Sequence, residues 1–267
     1  VSTVRGDVGD LGLMSETLAQ RDVEVVFHLA AQAITSAAQR DLIGTLDTNV
    51  RGTWNVLEAA RRAGSVKAIV IASSVKVYGE QPTLPFSEEA PLKGVEPYDA
   101  SKIGAELVSS TYHGAYGLPV VITRCGNLYG GGDLHWDRIV PGTIRAATGG
   151  RVPVVRSGGT PLRDYVYVED AIDAFLRLAQ VAEQPAVAGQ AFNVGTGAPV
   201  SELKMTEQIL DVMGIDDLQP EVQPASAGEI VHQSLAPDKL QRATGWVASR
   251  ELVDGLARTV AWYRDYL

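Results

Sequence analysis

Apolar and polar positions along this chain fall into blocks that predict strands and helices in turn. Near-continuous apolar runs rich in β-branched residues occupy residues 23–31, 68–72 and 119–124, which is typical of parallel strands covered on both faces. Residues 48–63 instead carry apolar side chains at helical spacing, and Gly64 follows where a left-handed residue would end the helix. Strands that alternate with helices at this spacing imply right-handed crossovers and a parallel sheet.

The second half of the chain predicts shorter elements. Ser201 is a candidate N-cap for a helix that ends at Met213, because its hydroxyl could accept from first-turn amides. The remaining predicted elements are helices at 139–148, 169–181 and 252–267, and strand segments at 1–4, 152–155, 163–168 and 190–195. The last helix places an apolar stripe on one face: Leu252, Leu256, Val260, Tyr263 and Leu267. The expected fold class is α/β, with a doubly wound parallel sheet.

Composition narrows the class of protein. A chain of 267 residues that is 45% hydrophobic can bury a large core. Its net charge of −9 argues against a surface that binds nucleic acid or anionic lipid, and no apolar run reaches the length of a membrane span. Cys125 is the single cysteine, which excludes an internal disulfide and makes the reducing cytoplasm the expected location. No metal site is predicted.

Tyr98 and Lys102 are the first candidates for chemistry. They stand four residues apart at the start of a helical run, so the phenol and the ammonium lie on one face. A lysine held against a tyrosine favours the phenolate, which lowers the phenol pKa toward the range that suits proton abstraction from a hydroxyl. The pair alone does not distinguish a catalytic site from a chance spacing.

Other polar residues follow the predicted strands, at the edge where open α/β sheets bind ligands. Asp7 lies just past residues 1–4, although a solvated turn aspartate has the same pattern. Ser74 follows the second buried run, and Asn49 could either donate into a cleft or only cap its helix. His28, within the first run, is typical of a satisfied interior histidine.

Three further features are ambiguous from the residues alone. The glycine cluster at 130–132 lacks the spacing of a phosphate-binding loop and predicts a hinge into a second lobe. Trp136 beyond it fits either a core position or a pocket wall. Cys125 has no histidine near it in sequence, so a packing role is a simpler interpretation than a nucleophile.

In this order the motifs resemble those of the extended short-chain dehydrogenase/reductase family of nucleotide-sugar epimerases and dehydratases. The resemblance covers essentially the whole chain and rests on Gly-Asp-Val at 6–8, His-Leu-Ala-Ala-Gln at 28–32, Thr-Asn-Val-Arg-Gly-Thr at 48–53, Ser-Ser at 73–74 before Val-Tyr-Gly at 77–79, Tyr98 with Lys102, Arg-Asp-Tyr-Val-Tyr-Val at 163–168, and Phe-Asn-Val-Gly at 192–195. It implies a Rossmann-type sheet with a smaller α/β substrate-binding lobe, tightly bound NAD, and transient oxidation of a nucleotide-diphosphate sugar at C4.

The resemblance also implies roles for individual residues. The catalytic set is Ser74, Tyr98, Lys102 and Asn49, in which the Tyr98 phenolate takes the C4 hydroxyl proton as hydride leaves for the nicotinamide. The expected cofactor contacts are Asp7, Val8, Leu29, Ala30, Ala31, Gln32, Tyr98, Lys102 and Cys125. The expected substrate contacts are Lys76, Asn127 and Arg163, although Lys76 also fits a solvated loop charge. The planar fork of arginine suits a diphosphate.

Three stretches, at 124–133, 136–141 and 228–233, look most like CDP-glucose 4,6-dehydratase and its relatives, so a CDP-hexose is the favoured substrate. Dehydratases of this kind carry an acid directly after the catalytic serine or threonine, to protonate the departing C6 hydroxyl. Here that position is Val75, which cannot transfer a proton. An epimerase, or a dehydratase with a displaced acid, therefore competes with the plain dehydratase.

Family members begin with a strand, a G-x-x-G-x-x-G turn and a helix that holds the NAD pyrophosphate, and this unit is absent from the sequence given. We expect about 50 to 60 residues upstream, the length of two strands and their helices. Without the two central strands, the expected sheet would have a gap in its middle. The expected domains are 1–128 for NAD and 129–267 for substrate, with about 163–196 returning to the first.

Two classes of function remain open. The first is an NAD-dependent nucleotide-sugar enzyme. The second is a non-catalytic protein on the same fold that keeps a sugar-nucleotide pocket or a dimer surface. The complete catalytic set favours the enzyme, because a pocket without chemistry has no physical reason to keep all four residues. The family's habit of pairing the helices that carry Tyr98 and Asn49 suggests a homodimer.

Overall fold

Helices and short strands alternate along the computed structural model, which describes residues 1–224 and 231–267. The helices are α1 (Leu11–Gln20), α2 (Thr35–Arg40), α3 (Leu42–Leu46), α4 (Gly52–Ala63), α5 (Pro97–Tyr116), α6 (Ile139–Thr148), α7 (Val168–Gln180), α8 (Glu202–Met213), α9 (Asp238–Thr244) and α10 (Leu252–Tyr266). A π-helical turn, Asp47–Arg51, leads into α4, and a 3₁₀ turn, Val75–Tyr78, follows the second strand. Within the described residues, no helix combines the length and apolar character needed to cross a bilayer.

The central sheet has four parallel strands in the order β1-β2-β3-β8. The strands are β1 (Val25–His28), β2 (Ala68–Ser74), β3 (Val120–Cys125), β4 (Asn127–Tyr129), β5 (Val154–Val155), β6 (Leu162–Arg163), β7 (Tyr165–Tyr167), β8 (Ala191–Val194), β9 (Val200–Ser201) and β10 (Glu221–Val222). The short strands form parallel pairs β4–β7 and β5–β10 and the antiparallel pair β6–β9.

Helices cover both faces of the central sheet, which confirms the doubly wound α/β prediction. Ile69 and Ile71 of β2 pack in one buried cluster with Leu57 of α4. Val70, between them, points to the other face and packs with Phe175 of α7. Successive side chains of a strand alternate between faces, so a strand buried on both sides reads as the continuous apolar run seen in the sequence.

Two local predictions about helix ends are confirmed. Gly64 ends α4 at φ 70°, in the left-handed region, and its amide donates to the Ala60 carbonyl. The Ser201 hydroxyl accepts from the Lys204 amide at 3.1 Å and caps α8. Both signals are local, because the end of a helix leaves backbone groups that nearby residues can satisfy.

The prediction of a strand at residues 1–4 is wrong, because these residues belong to no strand. A strand needs a neighbour that pairs with its backbone groups, and local sequence does not supply one. The expected gap in the middle of the sheet is also not seen, since β1 lies at one edge of the four-stranded sheet. Val25 and Phe27 of β1 are 43% and 38% exposed, which is unusual for apolar residues of a strand in such a sheet.

A second buried cluster joins α6, α8 and α10. Its members include Met205 and Ile209 of α8 and the predicted stripe residues Leu256, Val260 and Tyr263 of α10. Leu252 packs at its margin, whereas Leu267 is 52% exposed because α10 has already ended at Tyr266. Trp136 is half-buried and packs at the margin of this cluster, with its ring centroid 5.9 Å from that of Tyr263.

Gly126, between β3 and β4, provides a test of this architecture. A Cβ on Gly126 would lie 2.6 Å from the Asp164 carbonyl oxygen, and backbone cannot yield as a flexible side chain can. We expect Gly126→Ala to lower the free energy of unfolding by about 1–3 kcal/mol. The control Gly114→Ala lies in exposed helix with nothing within 4 Å, and should raise stability by about 0.5–1 kcal/mol. Urea unfolding measures both, and equal effects would contradict the prediction.

Candidate active site

The predicted catalytic residues converge at the carboxyl end of β2. Ser74 is the last residue of β2, and its hydroxyl lies beside the Tyr98 phenol in the first turn of α5, where it favours the phenolate. Lys102 lies one helical turn further on, with its Nζ atom 5.9 Å from the centre of the Tyr98 ring. The same Nζ donates to the Ala72 carbonyl at 2.8 Å. Strand and helix thus bring together groups that are about 25 residues apart in sequence.

The Tyr98 phenol is neutral in this structure. Burial raises the pKa of Tyr98 to about 12, while the Ser74 hydrogen bond and the Arg138 charge act in the opposite direction. The net shift of this pKa is upward because burial outweighs these two groups, and the effect of Lys102 on the phenol stays a prediction. Lys102 donates to the Ala72 carbonyl, and burial lowers its own pKa to about 8.

Asn49 connects two parts of the site instead of projecting into the cleft. Its Oδ1 accepts from the Gln32 amide at 2.7 Å, and its Nδ2 donates to the Gln32 carbonyl at 3.1 Å. Nδ2 also donates to the Ser101 hydroxyl at 2.8 Å, which in turn donates to the Tyr98 carbonyl at 2.7 Å. Asn49 lies in the π-helical turn, an irregularity that recurs at functional sites. The loop after β1 and the catalytic helix are therefore held by one side chain.

Part of the predicted cofactor set lies on an open face beside this link, whereas Tyr98, Lys102 and Cys125 are buried. Leu29 is 57% exposed, Ala30 is also exposed, and both directly follow β1. Asp7 lies in a turn that closes with its Oδ1 accepting from the Gly9 amide at 2.6 Å. Asn55 of α4 holds this turn by donating to the Val8 carbonyl at 3.0 Å.

A cavity of about 610 Å³ opens beside this turn. Its lining includes Asp7 and Asp10 from the turn, and Asp47 and Arg51 from the π-helical segment. Three carboxylates and one guanidinium, already paired with Asp47 at 2.7 Å, form a wall that suits an amino-bearing ring more than a phosphate.

Two buried titratable residues beside the site are neutral. His28 is 6% exposed, its Nε2 lies 3.0 Å from the Thr53 hydroxyl, and burial with the Lys102 charge lowers its pKa to about 4. This confirms the interior-histidine interpretation. Burial raises the pKa of the Cys125 thiol to about 12, so that thiol is a packing group and not a nucleophile.

The predicted substrate residues stand around the same edge with different surroundings. Lys76 is half-buried in the 3₁₀ turn, and its charge opposes the burial that raises the pKa of Asp99 to about 6. Asn127 begins β4, and its backbone amide donates to the Asp164 carbonyl at 2.7 Å. Arg163 is 6% exposed, and its Nε lies 3.2 Å from a Glu202 oxygen. The guanidinium expected to grip a diphosphate is thus already beside a carboxylate.

The sequence interpretation gave no role to several polar residues that organise this site. Asp164 accepts from the amides of Gly197 and Leu235, both at 3.1 Å, and from the Thr196 amide at 2.8 Å. Arg124 and Glu106 form a buried ion pair at 2.8 Å beneath the catalytic helix. The sequence did contain one signal for this pair: Arg124 lies inside a predicted buried strand, and a buried charge needs a partner.

Fold and site together define a Rossmann-type nucleotide-binding protein with a tyrosine–lysine pair on the helix that follows its central strand. The model of the NAD dependent epimerase/dehydratase family matches residues 1–195. The UDP-glucose 4-epimerase of Mycolicibacterium smegmatis is 34% identical over 264 residues, which cover 98% of this chain and 82% of that protein. The dTDP-glucose 4,6-dehydratase of Streptomyces griseus is 32% identical over 242 residues, covering 90% and 72%. The chain belongs to the NAD-dependent epimerase/dehydratase family.

Solved structures agree with this assignment. The UDP-glucose 4-epimerase of Thermotoga maritima with UDP-glucose superposes with a TM-score of 0.91 at 26% identity, covering 98% of this chain and 84% of that one. A double mutant of the dTDP-glucose 4,6-dehydratase of Streptomyces venezuelae, with NAD bound, has a TM-score of 0.87 at 32% identity, covering 98% and 79%. NAD is the cofactor of this family.

The depressed pKa of His28 predicts acid sensitivity. Between the ordinary value of 6.5 and the folded value of about 4, the unfolded chain binds more protons than the native one, so stability falls as pH decreases. We expect His28 to remove about 2 kcal/mol of stability between pH 7 and pH 5, at about 1.4 kcal/mol per pKa unit. His28→Asn should flatten this pH dependence in urea unfolding at both pH values. An unchanged slope in the variant would refute the assignment.

Proposed function

We propose that the protein is an NAD-dependent 4-epimerase of nucleotide-diphosphate hexoses. The observation that carries this proposal is Val75, the residue directly after Ser74. It is 2% exposed and packs in an apolar cluster with Phe86 and Leu235. A buried valine cannot protonate a departing C6 hydroxyl, whereas oxidation and reduction at C4 need no acid at this position. The residues for C4 chemistry are all present beside it.

NAD would lie along the exposed edge that runs from Asp7 to Lys102. Asp7 and Val8 would contact the adenine, Leu29 to Gln32 would form the wall of the cleft, and Lys102 would hold the nicotinamide ribose. Cys125 would lie behind the ring as an apolar neighbour. The glycine-rich turn that the resemblance places upstream, for the pyrophosphate, stays a prediction.

Within this arrangement Tyr98 is the proton acceptor. Its phenol would take the C4 hydroxyl proton while Ser74 hydrogen-bonds the same oxygen, and the proximity of the Ser74 hydroxyl to the Tyr98 phenol supports these roles. The chemistry that bound NAD supplies is reversible acceptance of the C4 hydride. A positive charge near the phenol lowers its pKa and so acts against burial, which raises it. The Lys102 ammonium, with Nζ 5.9 Å from the centre of the Tyr98 ring, would supply this charge.

Substrate binding is assigned to Lys76, Asn127 and Arg163. Lys76 follows Val75 in the 3₁₀ turn, and its charge would lie on the sugar side of Ser74. Arg163 would bind the diphosphate, and Glu202, 3.2 Å from its Nε, would compete for the guanidinium. We propose a CDP-hexose as the substrate, because the stretches 124–133 and 136–141 resemble those of CDP-glucose 4,6-dehydratase. The third stretch, 228–233, lies partly outside the described residues, since 228–230 are not among them.

A panel of CDP-, dTDP-, UDP- and GDP-hexoses tests this proposal. We expect one of them to give a C4 epimer of unchanged mass, separated by chromatography, when the NAD-loaded protein is used. Loss of water from the product would indicate the 4,6-dehydratase instead. Tyr98→Phe should lower kcat by about 10²–10⁴-fold, the usual contribution of a general base. The control Tyr112→Phe, whose hydroxyl lies 3.4 Å from Glu58, should keep full activity.

A non-catalytic role is the outcome that would refute the enzyme. It would appear as no turnover of any sugar nucleotide together with no NAD in the purified protein and none bound in titration. Binding of NAD without turnover on this panel would instead point to another sugar or base.

We also propose a homodimer built on α4 and α5. Apolar side chains are exposed on both helices: Trp54 is 41% exposed, Leu107 68% and Tyr116 59%. Large apolar side chains exposed on two packed helices favour an interface with another chain.

The dimer is tested by substitution on one face. Leu107→Glu places a charge at the proposed interface and should convert the dimer to monomer in light scattering after gel filtration. The control Leu176→Glu changes an equally apolar residue of α7, 49% exposed, and should leave the mass unchanged. A monomeric parent protein would refute the proposal.

A further inference from the structure

The catalytic helix α5 carries a third polar group on the face that meets β2. Glu106 lies one helical turn beyond Lys102 and is 4% exposed. It accepts from the Ser73 hydroxyl at 2.5 Å. Lys102 and Glu106 thus bond to two consecutive residues, Ala72 and Ser73, at the end of β2, next to the Ser74–Tyr98 pair. These hydrogen bonds fix the position of α5 along β2.

The Glu106 carboxylate is itself held in place by Arg124 of β3. The guanidinium donates to Glu106 through Nε at 3.1 Å and through Nη2 at 2.8 Å. Its Nη1 donates to the Tyr78 hydroxyl and to the Glu88 carbonyl, both at 3.1 Å. With the side chains of the pair 8% and 5% exposed, this geometry satisfies the guanidinium in the protein interior.

We propose that Glu106, held by Arg124 and Ser73, is a positioning residue that keeps Lys102 in its ammonium form next to Tyr98. The catalytic use of the Lys102 charge rests on the proposed function. The effect of Glu106 on that charge does not. A buried ammonium loses hydration, and a carboxylate one turn away restores part of the lost stabilisation.

Three titratable groups beside Lys102 supply no such charge. On its own helix Tyr98 is a neutral phenol, Cys125 on β3 is a neutral thiol, and His28 on β1 is a neutral imidazole at pH 7. Arg124 on β3 carries the opposite charge and is paired with Glu106. Burial lowers the pKa of Lys102 to about 8, and the Glu106 carboxylate acts against that shift. The paired carboxylate therefore supports the ammonium at the pH where it would otherwise begin to lose its proton.

Titration of Lys102 tests the proposal without cofactor or substrate. The chain has six lysines, so ¹³Cε-lysine labelling gives few signals, and Lys102→Met assigns the relevant one. Glu106→Gln keeps an acceptor for Ser73 and removes the charge. We expect the pKa of Lys102 to fall by about one unit or more, the effect typical of one charge at this separation. An unchanged or higher pKa would overturn the proposal.

Two matched variants separate charge from structure. Ser73→Ala removes the hydrogen bond to Glu106 and leaves the carboxylate, so the pKa of Lys102 should stay within about 0.3 units of the parent value. Glu106→Gln with Arg124→Gln removes both buried charges and leaves no uncompensated guanidinium, so it covers the case in which the single variant does not fold. It should lower the pKa of Lys102 by less than Glu106→Gln does, because the positive charge of Arg124 is removed together with the carboxylate. No fall in the pKa would count against the proposal.

Turnover gives a second and separate readout. If the proposed function holds, the alkaline limb of the kcat profile should move to lower pH in Glu106→Gln, because Lys102 loses its proton earlier. It should stay in place in Ser73→Ala. If Glu106→Gln shifts the Lys102 titration but the parent protein shows no turnover, the positioning role is supported and the proposed function is refuted. If the parent protein turns over but the titration does not move, the proposed function is supported and the positioning role is refuted.

Discussion

The buried polar face of α5 is the constraint on which the site depends. Tyr98, Ser101, Lys102 and Glu106 all lie on a helix packed against the sheet, and each polar group removed from water must find a partner. The partners come from distant parts of the chain: the end of β2, Asn49 and Arg124. Placing these partners fixes where the helix lies on the sheet, and hence where the Tyr98 phenol stands.

The same requirement ties the rest of the cleft to this helix. Asn49 satisfies both backbone groups of Gln32, so the loop after β1 cannot move independently of α5. Asp164 gathers the amides of Thr196, Gly197 and Leu235 where β8 and the following segments meet. The proposed chemistry at C4 requires the substrate hydroxyl, the Tyr98 phenol and the cofactor to be held close together. These buried hydrogen bonds would keep the protein groups in that arrangement.

Much of the fold could be predicted from local patterns. The continuous apolar runs became β2 and β3, the helical spacing after Thr48 became α4, and Gly64 and Ser201 end and begin helices as expected. These signals depend on burial and on backbone groups within a few residues. Residues 1–4 failed as a strand because pairing is a property of two segments, and one segment does not reveal whether its partner is adjacent.

For the candidate site, the sequence determined which groups are available, and the tertiary structure decided how they behave. Motif order alone was enough to indicate the family, the cofactor and the residues that would surround C4. It was not enough to show that burial makes Tyr98 a neutral phenol, that Asn49 is engaged by Gln32, or that Arg163 faces Glu202. Those outcomes depend on desolvation and on charges brought close by folding, and neither quantity is encoded in the spacing of residues along the chain.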